Sequence, residues 1–330
     1  MIVRVGNFNL FQFCAPPYAW YIKKDRFDEK QWEEKKNWIK KTIEKMNCQI
    51  IGFEEIFSQN ELKELLEELG FNYFATVDKP RVDEKRKIFT TTTLALASKY
   101  PIKELQKVKP HGKSIIKHKF EGHFRFSRFP IKAIITLPNN LDITVYVNHF
   151  KSNRLNEFEY IFNKTDSLKK KIDVINEALE KSYSPALRQR LCETSSLYFD
   201  FKRCKTPIIC LCDLNDKEYS LCIDALTNTA YHQNLQKDFY LLFDSYYLWD
   251  KKIYNPHPDK KYRRTPTSYY QGFGNVIDYI FVSKHFNKNS KYSIGKVNSY
   301  EVFDQHLQKT PDGKLTQSDH AAIVCELKIN

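Results

Sequence analysis

The sequence predicts a single α/β domain built on a mixed, β-rich core. Short apolar runs alternate with charged amphipathic stretches along most of the chain, so strands and helices are interleaved without a strict βαβ repeat. The chain has 330 residues, enough for one large core. No Gly-, Ser- or Pro-rich linker and no internal repeat divides it. A hydrophobic share of 42% and an aromatic share of 15% exclude a disordered chain. No uninterrupted apolar run approaches the roughly 20 residues of a membrane-spanning helix.

Taken in order, residues 1–10 read as a buried strand. Residues 30–46 form an amphipathic helix, with Trp32, Trp38, Ile39, Ile43 and Met46 near helical spacing. A short buried strand at 49–53 ends at Glu54-Glu55. Ser58 is expected to cap a helix over 59–69, with Glu61 at its third position and Gly70 as the stop. Strands are predicted at 91–98, 129–137, 142–148, 207–212, 276–282 and 321–327. Two regions break this rhythm. A helical insertion at about 152–203 carries Leu155, Phe158, Phe162, Leu168, Ile172, Ile175 and Leu179 as an apolar stripe, and 250–267 is a basic, Pro-containing loop.

Charge and cysteines set weaker bounds. Lys plus Arg number 53 against 40 Asp plus Glu, a net charge of +13 that suits a polyanionic partner. The bias toward Lys, Asn, Ile, Phe and Tyr, with only 9 Gly, is what AT-rich coding produces as well. The first residues carry no secretory pattern. The 8 Cys show neither zinc-ribbon pairing nor a disulfide framework and are expected to be buried thiols, with Cys210 and Cys212 on one strand face. Together these favour a cytoplasmic protein, or a secreted one if a signal has been removed.

The chemistry is expected at strand ends. Asn7 and Asn9 close the first strand, Glu55 the second, and His149 follows a third. Asp213 and Asn215 follow a fourth, Asp278 opens a fifth, and Asp319-His320 precede the last. Any one of these is ordinary turn chemistry. Six apolar strands that each carry such a group converge them on one rim of a sheet. Carboxylates with His and Asn, and no G-x-S-x-G, suit Mg²⁺-assisted attack on a phosphate.

The runs Gly6-Asn7-Phe8-Asn9, Phe53-Glu54-Glu55, Asn148-His149-Phe150-Lys151-Ser152, Asp213-Leu214-Asn215-Asp216, Ile277-Asp278-Tyr279 and Ser318-Asp319-His320 resemble, in order, the motifs of the endonuclease/exonuclease/phosphatase superfamily. The resemblance spans nearly the whole chain. It implies a four-layered α/β sandwich of two packed mixed sheets flanked by helices, as one domain over 1–330. It also implies that Glu55, Asn7 and Asp319 hold a divalent cation, Mg²⁺ first, with Mn²⁺ or Ca²⁺ as substitutes. Asp213 would position and deprotonate the attacking water, and Asn215 would hold it in line. His320, oriented by Asp278, and His149 would donate to phosphate oxygens as charge builds. Glu54 departs from the family's usual Gln and is expected to point into solvent. Asn9 stands where some relatives carry Asp, and Cys212 where Gly is usual.

Within that superfamily the local runs are similar to bacterial nucleases, which implies hydrolysis of DNA or RNA with little sequence preference. Asn9, Arg128, Lys151 and Arg154 are the expected substrate contacts. Two basic clusters fit a nucleic-acid backbone. One runs from 103 to 132, with nine Lys or Arg against Glu104 and Glu121. The other joins Lys251-Lys252, Lys260-Lys261 and Arg263-Arg264 with Tyr254, Tyr262, Tyr269 and Tyr270. Two readings stay open beside it. One is a lipid or inositol phosphoesterase, favoured if Phe120, Phe124, Phe126 and Phe129 form an exposed apolar hairpin rather than core. The other is a non-catalytic nucleic-acid-binding protein.

Overall fold

A computed structural model of the chain describes residues 1–152, 161–181, 185–232, 241–250, 264–270, 272–310 and 313–330. Along it run β1 (Ile2–Phe13), β2 (Ala19–Trp20), α1 (Glu29–Met46), β3 (Ile50–Ile56), α2 (Gln59–Glu68), β4 (Tyr73–Ala75), β5 (Val82–Asp83), β6 (Ile88–Phe89) and β7 (Thr93–Ser98). The middle comprises β8 (Ile102–Lys107), α3 (Gly112–Lys117), β9 (Ile131–Thr136), β10 (Asp142–His149), α4 (Leu168–Glu180), α5 (Pro185–Phe201), β11 (Ile208–Asp213) and α6 (Leu221–Thr227). The remainder is β12 (Leu242–Asp244), β13 (Ser268–Tyr270), β14 (Phe273–Asn275), β15 (Asp278–Ser283), β16 (Gly295–Phe303) and β17 (Ala322–Ile329).

Two mixed sheets of six strands carry the core, ordered β16-β17-β1-β3-β7-β4 and β12-β15-β11-β10-β9-β8. Strand alternation explains how they meet. Val3 and Val5, Ile50, Val145 and Val147, Ile209 and Leu211, and Ile280 and Val282 face inward and form the core between the sheets. The alternate residues Phe8, Leu10, Ile51 and Phe53 face outward and pack under α1 and α2. Tyr146, Cys210, Cys212, Tyr279 and Phe281 do the same on the other side, against Cys192, Leu197 and Phe201 of α5. Helix, sheet, sheet and helix are the four layers the sequence implied.

Several expectations change. β1 runs past Asn9 to Phe13, because Phe11 and Gln12 take left-handed backbone that lets the chain bend and rejoin β3 at Ile56. Ser58 does not cap α2; its hydroxyl accepts a hydrogen bond from the Ala15 N–H. Phe124 and Phe126 are buried, and Phe120 and Phe129 pack on the same cluster, so these rings are core and not an exposed hairpin. In the 152–203 region Phe162, Ile175 and Leu179 are buried and Leu168 and Ile172 pack beside them, while Leu155 and Phe158 lie outside the described residues. Seven of the cysteines are buried and all are free. No helix among the described residues is long and apolar enough to cross a membrane.

Candidate active site

The rim follows from the same alternation. Each inward-facing apolar row ends in a polar side chain at one edge of the sandwich. Val3 and Val5 continue into Asn7 and Asn9, and Ile50 and Gly52 into Glu54. Val145 and Val147 end in His149, Ile209 and Leu211 in Asp213, and Asp278 begins the row of Ile280 and Val282. Parallel pairing of β10 with β11 sets His149 beside Asp213, and antiparallel pairing of β11 with β15 sets Asp213 opposite Asp278. Just below, a Cβ on Gly52 would stand 3.0 Å from both Leu211 Cδ1 and Val147 Cγ1 of the facing sheet. A glycine there lets the sheets close under the polar rim.

Asp213 is the centre. Its Oδ2 accepts a hydrogen bond from Asn9 Nδ2 at 3.0 Å, lies 3.3 Å from His149 Nε2 and 4.0 Å from His320 Nε2. Its Oδ1 accepts from the Asn215 N–H at 2.9 Å. The His320 Nδ1 faces both Asp278 oxygens, at 2.9 and 3.1 Å, which leaves Nε2 directed at Asp213 and at Asp319 Oδ1, 3.8 Å away. Burial and the charge of Asp278 push Asp213 above the usual carboxylate range. Burial alone would lower His320, but Asp278, Asp319 and Asp213 hold it well above an ordinary imidazole.

The surroundings hold this group rigidly. Ser318 donates to Asn9 O at 2.7 Å and accepts from the His320 N–H at 3.0 Å, tying β1 to the last motif. The Thr267 hydroxyl accepts from the N–H groups of Ile277 and Asp278, both at 3.1 Å, and so places Asp278. Asn215, in left-handed backbone, donates to Phe150 O at 3.2 Å, and Arg128 donates to the same carbonyl at 3.1 Å. From α5, Glu193 accepts from the N–H groups of Ser127 and Lys151, and Arg190 donates to Lys151 O. Thr267, Glu193 and Arg190 carry no local motif, and their roles arise from contacts distant in sequence.

The structure brings together Asn9, His149, Asp213, Asn215, Asp278 and His320. Asn9, expected at the substrate, is buried, and its second amide atom accepts from the Phe11 N–H. The Lys151 side chain is exposed beside the rim. Arg154 lies outside the described residues, as do Lys251, Lys252, Tyr254, Lys260, Lys261, Tyr262 and Arg263. Arg264 is not a phosphate contact. It is buried, ion-paired with Asp244, and stacked over Tyr246, Tyr279 and Tyr300, which together cover its charge.

Glu54 does not point into solvent. It is fully buried and faces Asp213, Asp278 and Asn7, because it continues the inward row of Ile50 and Gly52. Burial, then the neighbouring Asp213 and Asp278, push its carboxyl well above the usual range. Asn7 is equally buried; its amide lies toward the Glu54 carboxyl, and neither side chain has a close hydrogen-bond partner elsewhere among the described residues. Glu55 takes left-handed backbone, and its Oε2 accepts from the Gln12 N–H at 3.1 Å. Buried oxygens with no close partner elsewhere, beside further carboxylates, are hard donors that a divalent cation satisfies, so this corner fits one. Asp213, Asp278 and His320 also bring ligand atoms within 4.8 Å of one another, although His320 Nδ1 is committed to Asp278.

No protein-family model matches the chain, and no curated protein does. Solved structures do. The catalytic domain of human Nocturnin with a bound sulfate anion is similar over 100% of this chain and 95% of its own, at 15% identity and a TM-score of 0.58. An endonuclease/exonuclease/phosphatase family protein from Bacteroides thetaiotaomicron matches over 100% and 96%, at 16% identity and a TM-score of 0.56. The mannosyl-6-phosphatase Bt3783 of the same organism matches over 99% and 100%, at 15% identity and a TM-score of 0.54.

Proposed function

The chain has the fold of the endonuclease/exonuclease/phosphatase proteins, and from it we propose a cation-assisted phosphoester hydrolase acting on nucleic acid. The observation that carries this reading is Asp213, buried within reach of two imidazoles, one of them backed by Asp278. In this reading Asp213 takes the proton of the attacking water, and the Asn215 side chain helps hold that water in line. His320, kept protonated by its carboxylate neighbours, donates to a phosphate oxygen, and His149 does so from the other side. Glu55, Asn7 and Asp319 would hold the divalent cation, with Glu54 adjoining them. When bound, the cation neutralises charge building on the phosphate and leaving oxygen.

Nucleic acid is favoured as substrate by the rim's surroundings. β8 ends at Lys107 opposite Ile131, and Ile131 pairs with Val147 near His149, so Lys107 comes off its strand at the rim end of the second sheet. Lys107, Lys109, Arg125 and Lys151 are exposed there. One observation favours a second reading, a phosphomonoesterase: a neighbour of comparable similarity is a mannosyl-6-phosphatase. The core position of Phe124 and Phe126 removes the support for a lipid substrate. Incubation with single-stranded, duplex and supercoiled DNA, RNA, mannose 6-phosphate and a phosphoinositide, each with Mg²⁺ or chelator, separates these. Mg²⁺-dependent cleavage of DNA or RNA is expected. Release of phosphate from the sugar phosphate alone would replace the nuclease reading with the second.

A further inference from the structure

The inward stripe of α1 is Trp32, Lys35, Ile39, Ile43 and Met46, so a lysine occupies a position whose spacing calls for an apolar residue. Lys35 is 0% exposed. A buried ammonium is costly unless its protons are satisfied, and here two of its three are met by backbone at one place. Nζ donates to Leu315 O at 3.1 Å and Gln317 O at 2.7 Å, with the rings of Phe27 and Phe11 at 5.3 and 5.7 Å. That turn runs straight into Ser318-Asp319-His320. Its opposite arm is equally tight: Gly313 has φ +74°, and a Cβ on it would lie 2.8 Å from Asp319 Cα. Burial pushes the Lys35 amine down to about 7, and the charges of Asp319 and then Glu55 act against this in favour of the ammonium.

We infer that Lys35 is a positioning residue of the rim, anchoring the 315–317 turn so that Asp319 and His320 meet the substrate in register. A lysine serving the fold alone has no reason to bind the two carbonyls before the last motif from the apolar face of a helix. Any aliphatic residue fills that stripe at lower desolvation cost. The proposal rests on the hydrolase reading for its consequence in rate, and on geometry alone for its effect on His320.

The test uses the full chain. Lys35→Met keeps the volume of the stem and removes the ammonium. It is expected to lower kcat about 10- to 100-fold with KM changed less than about threefold, and to displace the His320 side-chain ¹⁵N resonances. Lys35→Ala opens a cavity, and ethylammonium added to that variant is expected to restore rate and resonance positions where ethanol does not. Unmoved His320 resonances in Lys35→Met would overturn the proposal, as would equal rescue by ethanol and ethylammonium. The resonances need no turnover. A wild type that cleaves no phosphoester defeats the functional reading, while the displaced or unmoved His320 signals still decide the role of Lys35.

Discussion

The rim has two acidic corners that differ in how their charges are met. At the first, Asp213 and Asp278 are answered by His149, His320 and Asn9 at hydrogen-bond or ion-pair distance. At the second, Glu55 and Asp319 face the buried Lys35 amine, whose hydrogen bonds go to backbone carbonyls, and the neighbouring Asn7 and Glu54 side chains have no close partner among the described residues but each other. The first corner is complete as it stands and is suited to moving protons. In the proposed mechanism the second corner is the one that takes the cation.

Substitutions at the complete corner are expected to cost most. Asp213→Asn and His320→Ala should each lower kcat by about 100- to 1,000-fold or more, because in the proposed mechanism both act on the reacting atoms. Steady-state hydrolysis of the preferred substrate checks this, and a wild-type rate from either variant breaks the assignment. At the incomplete corner the signature is different. Chelator should abolish turnover and Mg²⁺ restore it, and Glu55→Gln should raise the Mg²⁺ concentration for half-maximal rate by about 10- to 100-fold. Asp213→Asn should leave that midpoint much closer to wild type. Equal shifts in both variants would merge the two corners into one.

The pH dependence sharpens the contrast. Asp213 must be charged and His320 protonated, and both titrate above their ordinary values. The rate should therefore climb only as pH rises past the usual carboxylate range and hold beyond the ordinary imidazole value of about 6.5. Stability follows the same linkage. The charged His320 contributes fully below about pH 6.5, and its contribution is lost as pH climbs through its raised value in the folded protein. His320→Gln should thus lower Tm at pH 6 and converge on wild type in alkali. The smallest effect is expected at the surface: Lys107→Ala and Lys151→Ala should weaken nucleic-acid binding a few-fold and flatten its salt dependence, measured by titration across salt concentrations.

Much of the rim was legible because it needs only strands and alternation. Asn7, His149 and Asp213 close apolar runs that read plainly, and Asp278 opens one. The same alternation contains the correct orientation of Glu54, since Ile50, Gly52 and Glu54 share a face; reading the residue by its charge pointed it outward. Lys35 escaped notice because the stripe was read through Trp32 and Trp38, whereas the inward face runs Trp32, Lys35, Ile39. What was not legible depends on contacts between remote segments. Thr267 aligns Asp278 across a loop, Glu193 joins Ser127 to Lys151, and Arg264 is buried by three tyrosines from separate elements. Nothing near these residues in sequence signals their partners.

In the proposed mechanism Asp213 and His320 perform phosphoester hydrolysis with a divalent cation at the adjoining corner. The most direct measurement compares wild type and Asp213→Asn on radiolabelled single-stranded DNA and RNA, with Mg²⁺ and with chelator. Cleavage by wild type in Mg²⁺, none in chelator, and a loss of about 100-fold or more in the variant are expected. Cleavage that persists in Asp213→Asn at the wild-type rate, or that ignores the chelator, would contradict that mechanism.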